Sequence, residues 1–369
     1  PLPSRPTPDH QTDAHATLPH KIDRRPPKIS ARVCQGGGVA NPTETSAVPW
    51  RRAWDRALYG PGGFFTTGQG PAAHFRTAVH AAPDLLAVAL ARLATEQGCR
   101  RVLDVGSGRG ELLLALADCQ DADDLDLFGV DVVTRPDTLP ERIGWAAGVP
   151  ATPDEAFDGA LVVAWELLDD VPCTVLEVDD DGAPREVLVD LSTGEEHLGG
   201  PAAPDDLDWC AGWWPTAGLE PGERVEVGLA RDALWARLVT RTATTRHGGV
   251  LLAVDYAHRL GDRPPYGTLT GFRAGREVPP VPDGSCNLTA HVALDAVAAA
   301  GEAAGAVRTR LTDQRTALRE LGVGSGPRGP VTGSGAEILR QLAERSRAGE
   351  LLDRGSLGGF GWLVQVAPA

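Results

Sequence analysis

The chain predicts an α/β fold: a mostly parallel sheet with helices on both faces, interrupted by an antiparallel hairpin insertion. Three observations carry this expectation. Short apolar runs of strand length alternate with amphipathic stretches of helix length over most of the chain. A glycine-rich turn, Gly106-Ser107-Gly108-Arg109-Gly110, sits where one such run gives way to a helix. Two β-branched runs flank Asp179-Asp180-Asp181-Gly182, and an Asp-Gly turn between such runs is a hairpin signal.

The elements follow in order. Residues 1–48 hold many prolines, both lysines of the chain and a Gly36-Gly37-Gly38 run, with few residues able to fill a core; they read as a disordered tail. The folded domain is expected over 49–369, opening with a helical extension over 49–98. Trp50, Trp54 and Leu58 recur at four-residue spacing and predict a helix over 50–59. Residues 72–98 read as one or two helices, with Pro83 marking a helix start. Arg101–Val105 reads as a strand, Glu111–Cys119 as a helix, and Leu125–Val133 and Ala160–Ala164 as two more strands. The insertion is placed at about 173–215. A helix over 229–245 and a strand over 250–254 resume the alternation, and 257–287, rich in Gly, Pro and Arg, reads as a long loop. The chain closes with helix 293–303, strand 306–311, helices 313–321 and 336–347, and strand 361–366.

Composition excludes several classes of function. Lys+Arg 35 against Asp+Glu 50 gives a net charge of −15, which argues against general nucleic-acid binding, since that rests on neutralising phosphates. The same balance is compatible with a basic partner such as an Arg- or Lys-rich peptide, and solubility alone also explains it. No apolar run approaches the roughly 18–20 residues of a membrane span, and no secretory signal is evident, so a cytoplasmic location is expected. Six cysteines lie far apart without a C-x-x-C pair and read as reduced thiols, not as a zinc site. The Asp118–Asp126 run lacks EF-hand spacing and reads as a solvated loop, so no metal is expected.

The glycine turn selects among cofactors. A dinucleotide fingerprint is G-x-G-x-x-G, whereas Gly106, Gly108 and Gly110 give G-x-G-x-G, with Glu111 at the third-glycine position. A pyrophosphate would meet that carboxylate at the helix start. A P-loop needs a lysine, and none follows Lys28. A nucleoside cofactor without phosphates remains. Asp104-Val105-Gly106-Ser107-Gly108-Arg109-Gly110 resembles motif I of class I S-adenosylmethionine-dependent methyltransferases. That resemblance implies a Rossmann-like seven-stranded sheet, with Asp104, Gly106, Gly108 and Gly110 at the cofactor's amino-acid end and Asp131 at its ribose hydroxyls.

Further segments narrow the match. Phe64–Gly68, Pro71–Phe75, Ala164-Trp165-Glu166-Leu167-Leu168-Asp169-Asp170-Val171-Pro172, Ala253–Tyr256, Gly267–Arg273 and Asn287–Val292, in this order, resemble the MidA-type methyltransferases. That family includes mitochondrial complex I assembly factors that methylate a protein arginine. The resemblance implies an arginine nitrogen on a partner protein as acceptor. It also shows departures. Trp165 stands where the family has Asn before the Glu, Asp170 where it has Ala, and Thr67-Gly68-Gln69 lacks the family's Glu. A second reading therefore stands beside the enzyme: an assembly factor with little or no catalysis that binds the cofactor and a partner.

Glu166 and Asp169 are the candidate catalytic residues on independent grounds. They follow a buried strand at the carboxyl edge of the sheet, where open α/β sheets bind ligands. Two carboxylates three residues apart can share one face of a turn, hold a guanidinium and take its proton. The alternatives are that Asp169 caps the turn and Glu166 is solvated. Tyr256 and His291 are weaker candidates, and the Trp209–Trp214 cluster reads as core or lid.

Overall fold

The computed structural model describes residues 47–66, 78–325 and 333–369. The expected tail over 1–48 lies outside the described residues except for Ala47 and Val48, which belong to a strand. Thr67-Gly68-Gln69 and Pro71–Phe75 also lie outside them.

A seven-stranded sheet forms the centre: β1 (Arg101–Val105), β2 (Asp126–Asp131), β3 (Gly144–Ala147), β4 (Ala160–Trp165), β5 (Gly249–Asp255), β6 (Arg308–Asp313) and β7 (Gly361–Ala367). Their spatial order is β6-β7-β5-β4-β1-β2-β3. All neighbours are parallel except that β7 runs antiparallel to both β5 and β6. The α/β expectation therefore holds, and β3 is an addition to the strands read from the sequence.

Strand β4 shows why the sequence folds this way. All six of its residues are buried. Leu161, Val163 and Trp165 enter one core, and Ala160, Val162 and Ala164 enter the other. A central parallel strand covered on both faces needs such an unbroken apolar run, since successive side chains point to opposite faces. Helices α3 (Pro83–Glu96) and α4 (Glu111–Ala117) cover the first face through Leu86, Leu90, Leu112 and Leu116. Helices α8 (Gln314–Glu320) and α9 (Gly335–Leu352) join them through Leu318 and Leu351. Helices α6 (Leu229–Ala243) and α7 (Leu294–Ala303) cover the second face through Trp235, Leu238, Leu294 and Val297. Gln365 of β7 is fully buried yet satisfied. It accepts from Trp235 Nε1 at 2.6 Å and donates to Ala298 O at 2.7 Å, tying α6 and α7 to the sheet.

The antiparallel insertion is larger than a hairpin. Its strands Thr174–Val178 and Pro184–Asp190 pair as expected, but Ala47–Pro49, Glu196–Pro201 and Arg224–Val227 join them in a five-stranded sheet. These short strands lie far apart in sequence, and nothing local marks them as partners. Helix α1 (Trp50–Tyr59) packs on this sheet with Trp50, Trp54 and Leu58 buried. Trp50 Nε1 donates to Glu196 Oε1 at 2.6 Å, and Arg224 bridges Glu177 at 2.8 Å and Glu196 at 2.5 Å. Helix α5 (Pro204–Trp213) buries Trp209 and Cys210, and Trp214 follows, so the Trp cluster is core.

The stretch 257–287 is more ordered than its composition suggests. It holds short strands at Thr270–Arg273 and Arg276–Val278, the former also pairing with Asn287–Thr289. Buried Glu226 fastens it, accepting from the amides of Thr268 and Leu269 and from the Thr268 hydroxyl. Among the described residues, no helix is long and apolar enough to cross a membrane.

Candidate active site

The strand order reverses between β1 and β4, and there the sheet opens a crevice at its carboxyl edge. A cavity of about 880 Å³ occupies it, in the upper part of the roughly 300–1,000 Å³ common for small-molecule sites. Gly106, Gly108, Asp131, Glu166, Leu167 and Asp170 line it from the sheet side, and Asp55, Tyr59 and Phe65 line it from α1 and the turn that follows.

The glycine turn leaves β1 through three left-handed residues, Gly106 (φ 78°), Gly108 (φ 59°) and Gly110 (φ 80°). A Cβ on Gly106 would stand 2.7 Å from Leu167 Cδ1, and one on Gly110 would stand 2.5 Å from Leu139 Cδ2. At Gly108 the nearest atom would be 3.5 Å away, so only the backbone angle asks for glycine there. Asp104 is buried beneath the turn and accepts from Ser107 Oγ at 2.7 Å. Burial pushes its carboxyl up to about 7, against the pull of that hydrogen bond.

Asp131 ends β2 and reaches the turn. Its Oδ2 accepts from the Gly108 amide at 2.7 Å and its Oδ1 from the Val133 amide at 3.1 Å. Desolvation outweighs these amides and raises its pKa.

Glu166 follows β4 in a left-handed conformation, φ 49°, which a non-glycine residue adopts at a cost of roughly 1–3 kcal/mol. The Glu166 amide donates to Val254 O at 2.8 Å, and its Oε1 accepts from the Ala78 amide at 2.9 Å. The residue lines the cavity and is half-buried. Burial pushes the carboxyl up to about 8; the Ala78 amide opposes this and the Asp169 charge adds to it.

The structure brings Gly106, Gly108, Asp131 and Glu166 together around the cavity. It places Asp104, Gly110 and Asp169 behind the wall. Asp169 is 5% exposed, and its Oδ2 accepts from Thr289 Oγ1 at 2.5 Å. It shapes the turn, whereas its neighbour Asp170 lines the cavity. Asp255 supports the same turn from below, its Oδ2 accepting from the amides of Leu168 (2.9 Å) and Asp169 (3.2 Å). Arg231 is 1% exposed and spends its guanidinium on the carbonyls of Asp169, Val171 and His291. Tyr256 stacks on His291 and leans on Phe360, outside the lining residues. Trp165 also faces away, edge-on to Trp362 at 5.5 Å.

Sequence reasoning missed Tyr59, Phe65 and Asp55, because only the docking of α1 against the sheet edge carries them here. Tyr59 donates to Asp170 O at 3.2 Å and stacks on Phe65 with centroids 5.5 Å apart. The fourfold spacing of Asp55 and Tyr59 on α1 was the available signal, half hidden by the stronger Trp50–Trp54–Leu58 face.

The crevice fits a nucleoside cofactor. Its glycine turn offers open backbone at Gly108, a carboxylate stands at the end of the next strand, and the volume leaves room for an acceptor group. Residues 83–312 match a family model described as "Putative S-adenosyl-L-methionine-dependent methyltransferase". No curated protein matches the sequence. Among solved structures, the chain is similar to a superfamily member from Burkholderia thailandensis bound to S-adenosyl-homocysteine. The TM-score is 0.70 at 23% identity, covering 87% of this chain and 88% of that one. A native crystal structure of a superfamily protein from the same organism gives a TM-score of 0.68 at 24% identity, covering 87% of each chain. These structures share the fold seen here, and the family match spans more than half of the sequence. The chain belongs to this family of S-adenosyl-L-methionine-dependent methyltransferases.

Proposed function

We propose that the methyl acceptor is a guanidinium nitrogen of an arginine on a partner protein. The observation that carries this reading is Glu166. It is held in a strained left-handed conformation in the cavity lining, with one carboxylate oxygen fixed by the Ala78 amide. Strain of this kind persists where the surrounding structure over-determines it, and it clusters at functional positions. The Tyr59–Phe65 stack adds aromatic rings to the cavity lining next to Asp170, where a planar cation can pack. The family resemblance read from the sequence supports the same acceptor.

In this reading Gly106, Gly108 and Asp131 hold the cofactor. When bound, it supplies a methyl on a sulfonium; transfer forms a C–N bond, returns the C–S pair to sulfur and releases one proton from nitrogen. Glu166 orients the acceptor nitrogen and takes that proton. A cation entering beside Glu166 lowers its pKa from about 8, so the carboxylate becomes available as the acceptor arrives.

The test is incubation with methyl-labelled cofactor and host lysate, then identification of the labelled atom. Label on an arginine side chain supports the proposal. Label on another atom overturns it. Tight S-adenosylhomocysteine binding with no labelled protein favours the assembly-factor reading.

A further inference from the structure

We propose that Asp170 is a specificity-determining residue of the acceptor site, pairing with Glu166 to select a cationic group that presents two N–H donors. This rests on the reading of the site just given and adds a residue to it. Asp170 is 8% exposed and lines the cavity. Its Oδ1 accepts from Asn287 Nδ2 at 2.9 Å, which fixes the plane of the carboxylate. No described donor reaches its Oδ2. Glu166 lines the same cavity, with its Oε1 held by the Ala78 amide. The two stand close enough that the Glu166 charge raises the Asp170 pKa.

The local charge balance is incomplete. Four carboxyls, Glu166, Asp169, Asp170 and Asp255, sit at this end of the crevice. Among the described residues, the guanidinium acting on Asp169, Asp170 and Asp255 is that of Arg231, buried and committed to three backbone carbonyls, while Arg109 and Arg135 line the cavity beside the glycine turn and the end of β2. Carboxylates buried without a cation are costly. A guanidinium from outside meets this need with a planar fork of donors, two of which can reach two carboxylate oxygens at once. A neutral acceptor of the same shape would leave both oxygens without a charged partner. Asn287 is then a positioning residue, and Asp170 is the group that touches the acceptor.

The test uses the whole chain, saturated with S-adenosylhomocysteine, and two probes: N-acetyl-arginine methylamide and its neutral citrulline counterpart. Binding is read by calorimetry or by NMR. The arginine probe should bind at least about tenfold more tightly than the citrulline probe. Asp170→Asn should erase most of that preference while S-adenosylhomocysteine affinity stays within about twofold. Asp170→Ala serves as a second variant; it leaves the Asn287 amide without its acceptor, so urea unfolding of both variants is measured beside the binding to show that each is folded. If the arginine probe binds equally well to both variants, Asp170 is not a specificity residue, although the arginine reading stands. If wild-type protein prefers neither probe, the arginine reading fails and this inference fails with it. If the variants lose S-adenosylhomocysteine as strongly as the arginine probe, Asp170 serves the cofactor and the inference is overturned.

Discussion

Replacing Glu166 by Gln should make the ligand-free protein more stable, and increasingly so as pH rises. The amide keeps the shape and can still accept from Ala78 N–H, so the local hydrogen bond survives. What disappears is the cost of ionising a carboxyl whose folded-state pKa is about 8 against an ordinary 4.5. Below pH 4.5 the group is protonated in both folded and unfolded chains, and the two proteins should differ little. Between those values the folded state binds more protons than the unfolded one, so wild-type stability falls as pH rises, and above about 8 the loss is complete. At about 1.4 kcal/mol per pH unit the full interval corresponds to at most about 5 kcal/mol, and relaxation around a partly exposed group brings a realistic gain to roughly 2–4 kcal/mol. Asp169 and Asp170 lose a repulsive neighbour as well, which acts in the same direction. Urea unfolding of both proteins at intervals from pH 5 to pH 9, without cofactor, measures the difference. A constant offset across that range would refute the electrostatic account. Methyl transfer should meanwhile drop by about 10²–10⁴-fold in the variant, the usual contribution of a general base.

Other expectations follow from the same geometry. Gly108→Ala should cost roughly 1–2 kcal/mol, the price of a left-handed residue, since its Cβ meets nothing nearer than 3.5 Å. Gly106→Ala adds a 2.7 Å clash with Leu167 and should cost about 1–3 kcal/mol more; urea unfolding that ranks them the other way would refute this. Asp131→Ala should weaken S-adenosylhomocysteine binding by roughly 10–100-fold, because charge-assisted hydrogen bonds are worth about 1.5–3 kcal/mol. Calorimetry showing a change under threefold would remove Asp131 from the cofactor site.

The central sheet was largely legible because its strands carry their own signal. Ala160–Trp165 is a continuous apolar run, Arg101–Val105 is a β-branched and Leu run broken only by Asp104 ahead of the glycine turn, and helix α1 ends where its periodicity ends. Gly144–Ala147 was not legible, since Gly-Trp-Ala-Ala has weak strand propensity and is set by pairing with β2. Within the site, the glycine turn and Asp131 could be placed because a strand–turn–helix geometry fixes them locally. Asp169 and Asp170 could not be told apart, because a turn of one residue decides which carboxyl meets Thr289 and which meets the cavity. Tyr59 and Phe65 reach the crevice through tertiary docking alone.

The link from Trp50 through Glu196 to Arg224 fastens α1 to the inserted sheet. That attachment gives the crevice two walls of different origin in the chain. One wall comes from the turn after β1 and the end of β2, inside the stretch matched by the family model, whereas Asp55, Tyr59 and Phe65 precede residue 83. Under the proposed function, substitutions along α1 alter the wall that meets the acceptor and leave the glycine turn and Asp131 untouched.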